Sequence, residues 1–299
     1  MIRIGHVRYL NTLPLVEGLA AWREAELVQA VPAALAPMLT GEDVARSPRI
    51  DVGLCSVVDA VRSRVPLALI PAGMIGCDGP TLTVRLYSAV PWARVTRVHA
   101  DTDSHTSVVL AQVLLRRRHG VMAEVVEFDA ERHEAVGAVD GPRQAGWEAR
   151  PTKAPHWPET LLVIGDKVVT DPPPAGRYAH QMDLGEAWRE WTGLPFVYAM
   201  WMCRAAEAGT PAVRLAGEVL ARQRQRNTVR LDWLVDRYAG ERGWPADLAR
   251  RYVGELLRYA VGPREREAVE RFVSEAREAG LIAGGAVRWA ERRAMSDER

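Results

Sequence analysis

The chain opens on alternating apolar and polar residues, Ile2-Arg3-Ile4-Gly5-His6-Val7-Arg8-Tyr9, then breaks into Asn11-Thr12-Leu13-Pro14 ahead of the segment 15–19. Alternation at period two predicts a half-buried strand. A capping Asn or Thr followed by proline predicts a helix start, because proline lacks only an N–H that the first turn cannot use. The same order of strand, polar turn and helix recurs at strand 51–54, Ser56 and helix 57–61. It recurs again at strand 97–100, the turn Asp101-Thr102-Asp103-Ser104-His105-Thr106-Ser107, and helix 108–115. Strands are also expected at 67–71 and 81–90 around Cys77-Asp78-Gly79-Pro80, and at 123–128 and 160–164 on either side of a connection, 137–158, with little regular pattern. Pro172-Pro173-Pro174 reads as a surface loop. A helix over 183–191 is ended by Gly193 and Pro195, and 196–202 is a strongly apolar strand. After Pro211 the pattern is that of amphipathic helices over 213–227, 231–240, 245–259 and 263–279.

At 299 residues the chain exceeds what one hydrophobic core usually serves, so two lobes are expected. The order α/β, α/β, then helix does not describe two domains in tandem. It predicts a chain that leaves a first lobe, builds a second and returns. The first lobe is then 1–91 with 197–299, the second is 92–196, and the helical C-terminal region packs on the first lobe.

Composition narrows the class without changing it. With 48% hydrophobic and 26% charged residues the chain is an ordinary globular protein, and no apolar run approaches the roughly 20 residues that span a bilayer. A net charge of +1 creates no field for nucleic acid or anionic lipid, so neither is an expected partner. Cys55, Cys77 and Cys203 are too widely spaced for a disulfide framework or a metal knuckle and read as buried thiols of a reducing compartment. The first residues enter a strand at once, without the charged and apolar regions of an export signal, and a cytoplasmic location is expected.

Strands that run straight into helix N-termini present free amides and a positive dipole end at the carboxyl edge of a sheet, which suits carboxylates or phosphates. Three turns do so, at Asn11-Thr12, at Ser56 and at 104–107, although each is also ordinary helix capping. The seven histidines show no ligand spacing with one another or with the cysteines, and no metal is expected. No glycine-rich phosphate loop follows a strand, no Gly-x-Ser-x-Gly elbow is present, and no cofactor is expected. His6 reads as a core histidine. His105 lies at a helix start whose positive end favours its neutral form. Asp166 either faces the cleft or caps the following turn, and Trp188 and Trp191, three apart on a helix, read as packing.

Several segments taken together resemble a known family. They are Arg3-Ile4-Gly5-His6-Val7-Arg8-Tyr9-Leu10-Asn11, Gly76-Cys77-Asp78-Gly79-Pro80, Ser104-His105-Thr106-Ser107, Ile164-Gly165-Asp166, Asp183-Leu184-Gly185 through Trp188, and Trp191-Thr192-Gly193-Leu194-Pro195-Phe196-Val197. In order along the chain from residue 3 to about 200, they are similar to the chorismate dehydratases of futalosine-dependent menaquinone biosynthesis. The helical tail matches only in character.

The resemblance implies a two-lobed α/β fold of the type II periplasmic-binding-protein kind with its ligand between the lobes. It implies conversion of chorismate to 3-[(1-carboxyvinyl)oxy]benzoate with loss of water. Carried over, it assigns catalysis to Asn11 and to Thr83, where the family has Ser. From the polar turns and the matched segments together, substrate binding is expected at Thr12, Ser56, Asp78, Gly79, Ser104, His105, Thr106, Ser107 and Asp166, with His105 standing where the family commonly has Arg. Two other readings of the same fold are a cytoplasmic binding protein for a small anion, without chemistry, and the related 1,4-dihydroxy-6-naphthoate synthase.

Overall fold

A computed structural model describes residues 1–42, 48–130, 132–135 and 157–290. The chain begins with β1 (Ile2–His6), α1 (Leu13–Val16), β2 (Ala25–Gln29), α2 (Pro32–Thr40), β3 (Val52–Ser56), α3 (Asp59–Arg62) and β4 (Leu67–Cys77). Then come β5 (Val84–Ser88), β6 (Arg97–Asp101), α4 (Thr106–His119), β7 (Glu124–Asp129), β8 (Glu134–Ala135), β9 (Thr160–Ile164), α5 (Lys167–Thr170), β10 (His180–Asp183) and α6 (Leu184–Thr192). The last third holds β11 (Phe196–Arg204), α7 (Pro211–Thr228), α8 (Leu231–Tyr238), α9 (Ala246–Arg251), a π-helical turn (Tyr252–Leu256), β12 (Leu257–Arg258) and α10 (Pro263–Glu278).

These strands form two six-stranded sheets among the described residues, ordered β12-β4-β11-β3-β1-β2 and β10-β5-β9-β6-β7-β8. Each has a parallel heart, β2-β1-β3 in one and β9-β6-β7 in the other, extended by antiparallel strands. Parallel neighbours need a crossover connection, which α2 and α4 supply. The carboxyl ends of β1, β3 and β6 therefore lie where open α/β sheets take ligands. One buried apolar cluster runs through both lobes, from Val7, Leu69 and Met74 to Leu110 and Leu162. No helix among the described residues is long and apolar enough to cross a membrane.

The chain crosses between sheets at residues 78–83 and returns at 193–195. The first crossing comes earlier than the expected boundary at 91. Residues Val84–Ser88 pair with β9 along their whole length and with β10, so this strand belongs to the second sheet. The reason is a tight reversal just before it, with Gly79 at φ 128° and Leu82 at φ 69°. Two further expectations need correction. The helices read at 15–19 and 57–61 are single turns, Leu13–Val16 and Asp59–Arg62. Gly18 at φ 85° follows the first, and Pro66, which pushes Val65 toward extended backbone, follows the second. The helix read over 245–259 stops at Arg251, passes through the π-helical turn and ends as β12, which pairs Leu257 with Cys77 at the edge of the first sheet.

The C-terminal helices reach further than expected. While α7 packs on α1 and β4, α10 also reaches the second lobe, where Glu275 pairs with Arg117 of α4 at 2.7 Å. Phe272 meets Trp188 and Phe196 edge-on, with ring centroids 6.2 and 5.0 Å away, and the Trp188 indole donates to the Pro195 carbonyl at 3.0 Å. Trp188 and Trp191 are packing residues, 5.5 Å apart and perpendicular. All three cysteines are free and buried. Strands β2 and β10 had no counterpart in the sequence reading, and residues 137–156 of the connection read over 137–158 lie outside the described residues.

Candidate active site

The turn after β1 carries Tyr9 and Asn11 into a cavity between the sheets, and the end of β3 adds Ser56. The crossing contributes Thr81 and Thr83, and the turn before α4 contributes Asp103, Ser104, Thr106 and Ser107. Tyr198 of β11 and Tyr252 of the π-helical turn complete the polar lining, while Val7, Leu54, Ile75, Ile164 and Leu257 supply apolar walls. Among the described residues neither Lys nor Arg lines it. An anion here would be met by hydroxyls, an amide side chain and the first turn of α4. At 14 residues α4 is long enough to carry a useful dipole, whereas the one-turn helices α1 and α3 are not.

Hydrogen bonds tie the lining into one chain. Thr12 Oγ1 donates to Asn11 Oδ1 at 3.2 Å, and Asn11 Nδ2 donates to the Tyr252 hydroxyl at 3.0 Å. That hydroxyl lies 2.6 Å from Thr83 Oγ1. Asn11, Thr83 and Tyr252 are all buried, and burial pushes the Tyr252 phenol well above its ordinary range, so it stays a neutral hydroxyl. On the opposite wall Ser107 N donates to Ser104 Oγ at 3.1 Å, capping α4.

Among the described residues, hydrogen bonds at several points join the lobes around this cavity. Tyr9 donates to Asp103 Oδ2 at 2.8 Å, Leu10 N donates to Asp166 at 3.1 Å, and Val58 N donates to Thr106 Oγ1 at 3.3 Å. His105 Nδ1 lies 2.8 Å from Asp59 Oδ1. This last contact reverses an expectation about His105. Its hydrogen bond with Asp59 holds the imidazole above its usual pKa, outweighing burial and the nearby Arg62 charge.

Asn11, Ser56, Thr83, Ser104, Thr106 and Ser107 thus share one cavity, and the other expected site residues, Thr12, Asp78, Gly79, His105 and Asp166, lie outside its lining. Thr12 sits behind Asn11 and orients its amide. Asp78 is turned away by two arginines, Arg189 at 2.7 Å and Arg264 at 3.1 Å, and Gly79 serves the reversal through its positive φ. His105 faces Asp59 in a neighbouring cleft that also holds Arg62 and Glu127. Asp166 faces another groove with Lys167 and Arg242, and burial pushes its carboxyl up to about 6. His6 contacts the Val7 carbonyl at 3.0 Å, and burial lowers its pKa. Cys55 and Cys77 do not line the cavity.

Two glycines explain two of the quoted motifs. Gly165 has φ 72°, and a Cβ there would come within 3.1 Å of the Tyr9 ring, so this glycine lets the first lobe's tyrosine lie against the second lobe. A Cβ on Gly185 would meet Cys77 Sγ and Thr81 Cγ2 at 2.5 Å, because α6 starts directly against the crossing. Sequence reasoning missed Tyr252 as a site residue. Its position looks like one apolar step of an amphipathic helix, and Gly254 inside that pattern is the only hint of a break.

A family model described as menaquinone biosynthesis matches residues 2–145 and 149–278. A chorismate dehydratase from Thermus thermophilus is 28% identical over 213 residues, covering 67% of this chain and 69% of that protein. Among solved structures, a protein from Archaeoglobus fulgidus aligns with a TM-score of 0.58 at 15% identity, over 94% of this chain and 98% of its own. The alkanesulfonate-binding protein of Xanthomonas axonopodis, bound to MOPS, aligns at 0.59 and 12% identity over 94% of each chain. At such identity these structures speak to the fold alone, which is that of the periplasmic binding proteins.

Proposed function

The chain belongs to the menaquinone biosynthesis family, and from that premise we propose that it is a chorismate dehydratase, a carbon–oxygen lyase of the futalosine route acting in the cytoplasm. One observation carries the reading: Asn11 and Thr83, which the family resemblance marks for catalysis, line one cavity and hydrogen-bond the same buried hydroxyl of Tyr252.

Chorismate brings two carboxylates, a ring proton at C3 and a hydroxyl at C4. Loss of the C3 proton gives an anion delocalised through C2 and C1 into the ring carboxylate. Departure of the C4 hydroxyl with its electron pair then forms the last ring double bond, and proton and hydroxide leave as water. Aromatisation supplies the driving force. The protein has to hold the ring, stabilise developing charge and help hydroxide leave, which is work for fixed donors in a water-poor site.

The first turn of α4, with Ser104, Thr106 and Ser107, suits one carboxylate. Asn11 uses one Nδ2 hydrogen on Tyr252 and keeps the other for substrate. Thr83 donates to the departing hydroxyl. Among the described residues no Lys, Glu or His lines the cavity, and its Asp103 is engaged by Tyr9 and Lys167, which favours the substrate's own enolpyruvyl carboxylate as acceptor of the C3 proton.

Incubation with chorismate, with loss of the diene absorbance and appearance of the enolpyruvyl benzoate followed together, tests the reading. Turnover is expected, with kcat lowered about 100-fold or more in Asn11→Ala and in Thr83→Ala. Chorismate bound but unchanged would favour a binding protein. Chorismate ignored would favour a later step of the same biosynthesis, such as the 1,4-dihydroxy-6-naphthoate synthase.

A further inference from the structure

Tyr252 has one proton and stands between two partners. Asn11 Nδ2 carries only donors, so across that 3.0 Å contact the tyrosine oxygen accepts. A phenol oxygen can accept twice, but among the described residues no acceptor other than Thr83 Oγ1, 2.6 Å away, lies within hydrogen-bond reach of it, so the phenol proton is directed there. Thr83 accepts there, which leaves its own hydrogen to point elsewhere, and Thr83 borders the cavity. Thr12 fixes the far end by donating to Asn11 Oδ1, which sets the amide with its nitrogen toward Tyr252. The chain therefore has one direction, from Thr12 through Asn11 and Tyr252 to Thr83, and each bond polarises the next.

We propose that Tyr252 is a positioning residue that fixes the Thr83 hydroxyl as a hydrogen-bond donor into the cavity, a role that rests on the dehydratase reading above. The fold is arranged to hold it. Its ring stacks on Trp244, with centroids 4.9 Å apart and planes within 11°, and it begins the π-helical turn that brings the chain back to the first sheet at Leu257. Single π-helical turns recur at functional sites because the inserted residue redirects side chains that a regular helix would place elsewhere. The threonine at 83 fits the same role. Its β-branch restricts χ1, so the one hydroxyl orientation that Tyr252 selects is held on both sides, by rotamer and by hydrogen bond.

Tyr252→Phe keeps the ring and the stack while removing the hydroxyl. It is expected to lower kcat on chorismate about 10- to 100-fold with KM changed less than about threefold. In a Thr83→Ala background the same change is expected to cost less than about twofold, since no hydroxyl remains to be directed. Trp244→Phe, which loosens the stack without touching the chain of hydrogen bonds, serves as the second variant. It should lower kcat several-fold at constant KM, and this loss too should vanish with Thr83→Ala. Wild-type kcat in Tyr252→Phe, or equal losses with and without Thr83, would overturn the proposal while leaving the dehydratase reading standing. Wild-type protein inert toward chorismate would remove both, and that result is read before any variant is made.

Discussion

The Tyr9 hydroxyl of the first lobe and the Asp103 carboxylate of the second meet at 2.8 Å, on an oxygen that Lys167 Nζ also reaches at 2.8 Å. A hydrogen bond to a charged acceptor contributes about 1.5–3 kcal/mol, more than a neutral one. The Tyr9 ring lies over Gly165 of the second lobe, so contact and hydrogen bond act together as a latch. Tyr9→Phe keeps the contact and loses the bond. If closure is coupled to binding, the competent population falls and KM for chorismate should rise about 5- to 30-fold, the equivalent of about 1–2 kcal/mol. Small-angle scattering of the free protein should show a larger radius of gyration. An unchanged KM with an unchanged scattering profile would mean that this pair does not hold the lobes.

Asp183 organises the crossing on which Thr83 sits. Its carboxylate accepts from the amides of Thr81 at 3.0 Å and Leu82 at 2.8 Å, and from Gly185 and Glu186 at the start of α6 at 3.1 and 3.2 Å. It is at once a helix cap and a clamp on a turn whose Leu82 is held at φ 69°. Asp183→Ala strands these buried amides and should lower stability by about 3–5 kcal/mol, a fall of roughly 6–15 °C in thermal midpoint. Asp183→Asn retains one acceptor oxygen and should lose less than half as much. Equal losses in the two variants would show that the charge, and not the acceptor geometry, holds the turn.

Strands were legible in the sequence wherever alternation or a continuous apolar run marked a face, and Thr160–Ile164 coincides with the reading to the residue. What failed was local pattern overridden by non-local pairing. Residues Val84–Ser88 carry no sign of which sheet they will join, since pairing with the distant strand Thr160–Ile164 decides it. The segment over 245–259 reads as one helix by periodicity, whereas its end pairs as a strand with β4 and Tyr252, at the π-helical turn before it, lines the cavity. The candidate site divides the same way. Asn11, Ser56 and the turn at 104–107 stand at strand ends, where local order implies the geometry. The orientations of Asp78, His105 and Asp166 are set by Arg189, Asp59 and Leu10, all remote in sequence.

Asp166 carries a pH dependence whose sign can be stated. Burial raises its carboxyl to about 6, working against the stabilising amide of Leu10. A group that binds its proton more tightly in the folded chain than in the unfolded one, where the value is about 3.9, favours folding most below that lower value. The contribution is lost as pH rises through 6. Two units correspond to about 3 kcal/mol, reduced to about 1–2 kcal/mol because the side chain keeps some contact with water. Asp166→Asn is neutral at every pH and retains an oxygen to accept from Leu10. Its thermal midpoint should exceed that of the wild type by about 2–6 °C at pH 7.5, and the gap should close toward pH 4. A midpoint below wild type at pH 7.5 would show instead that the ionised carboxylate is preferred in the folded chain, with the Leu10 hydrogen bond outweighing burial.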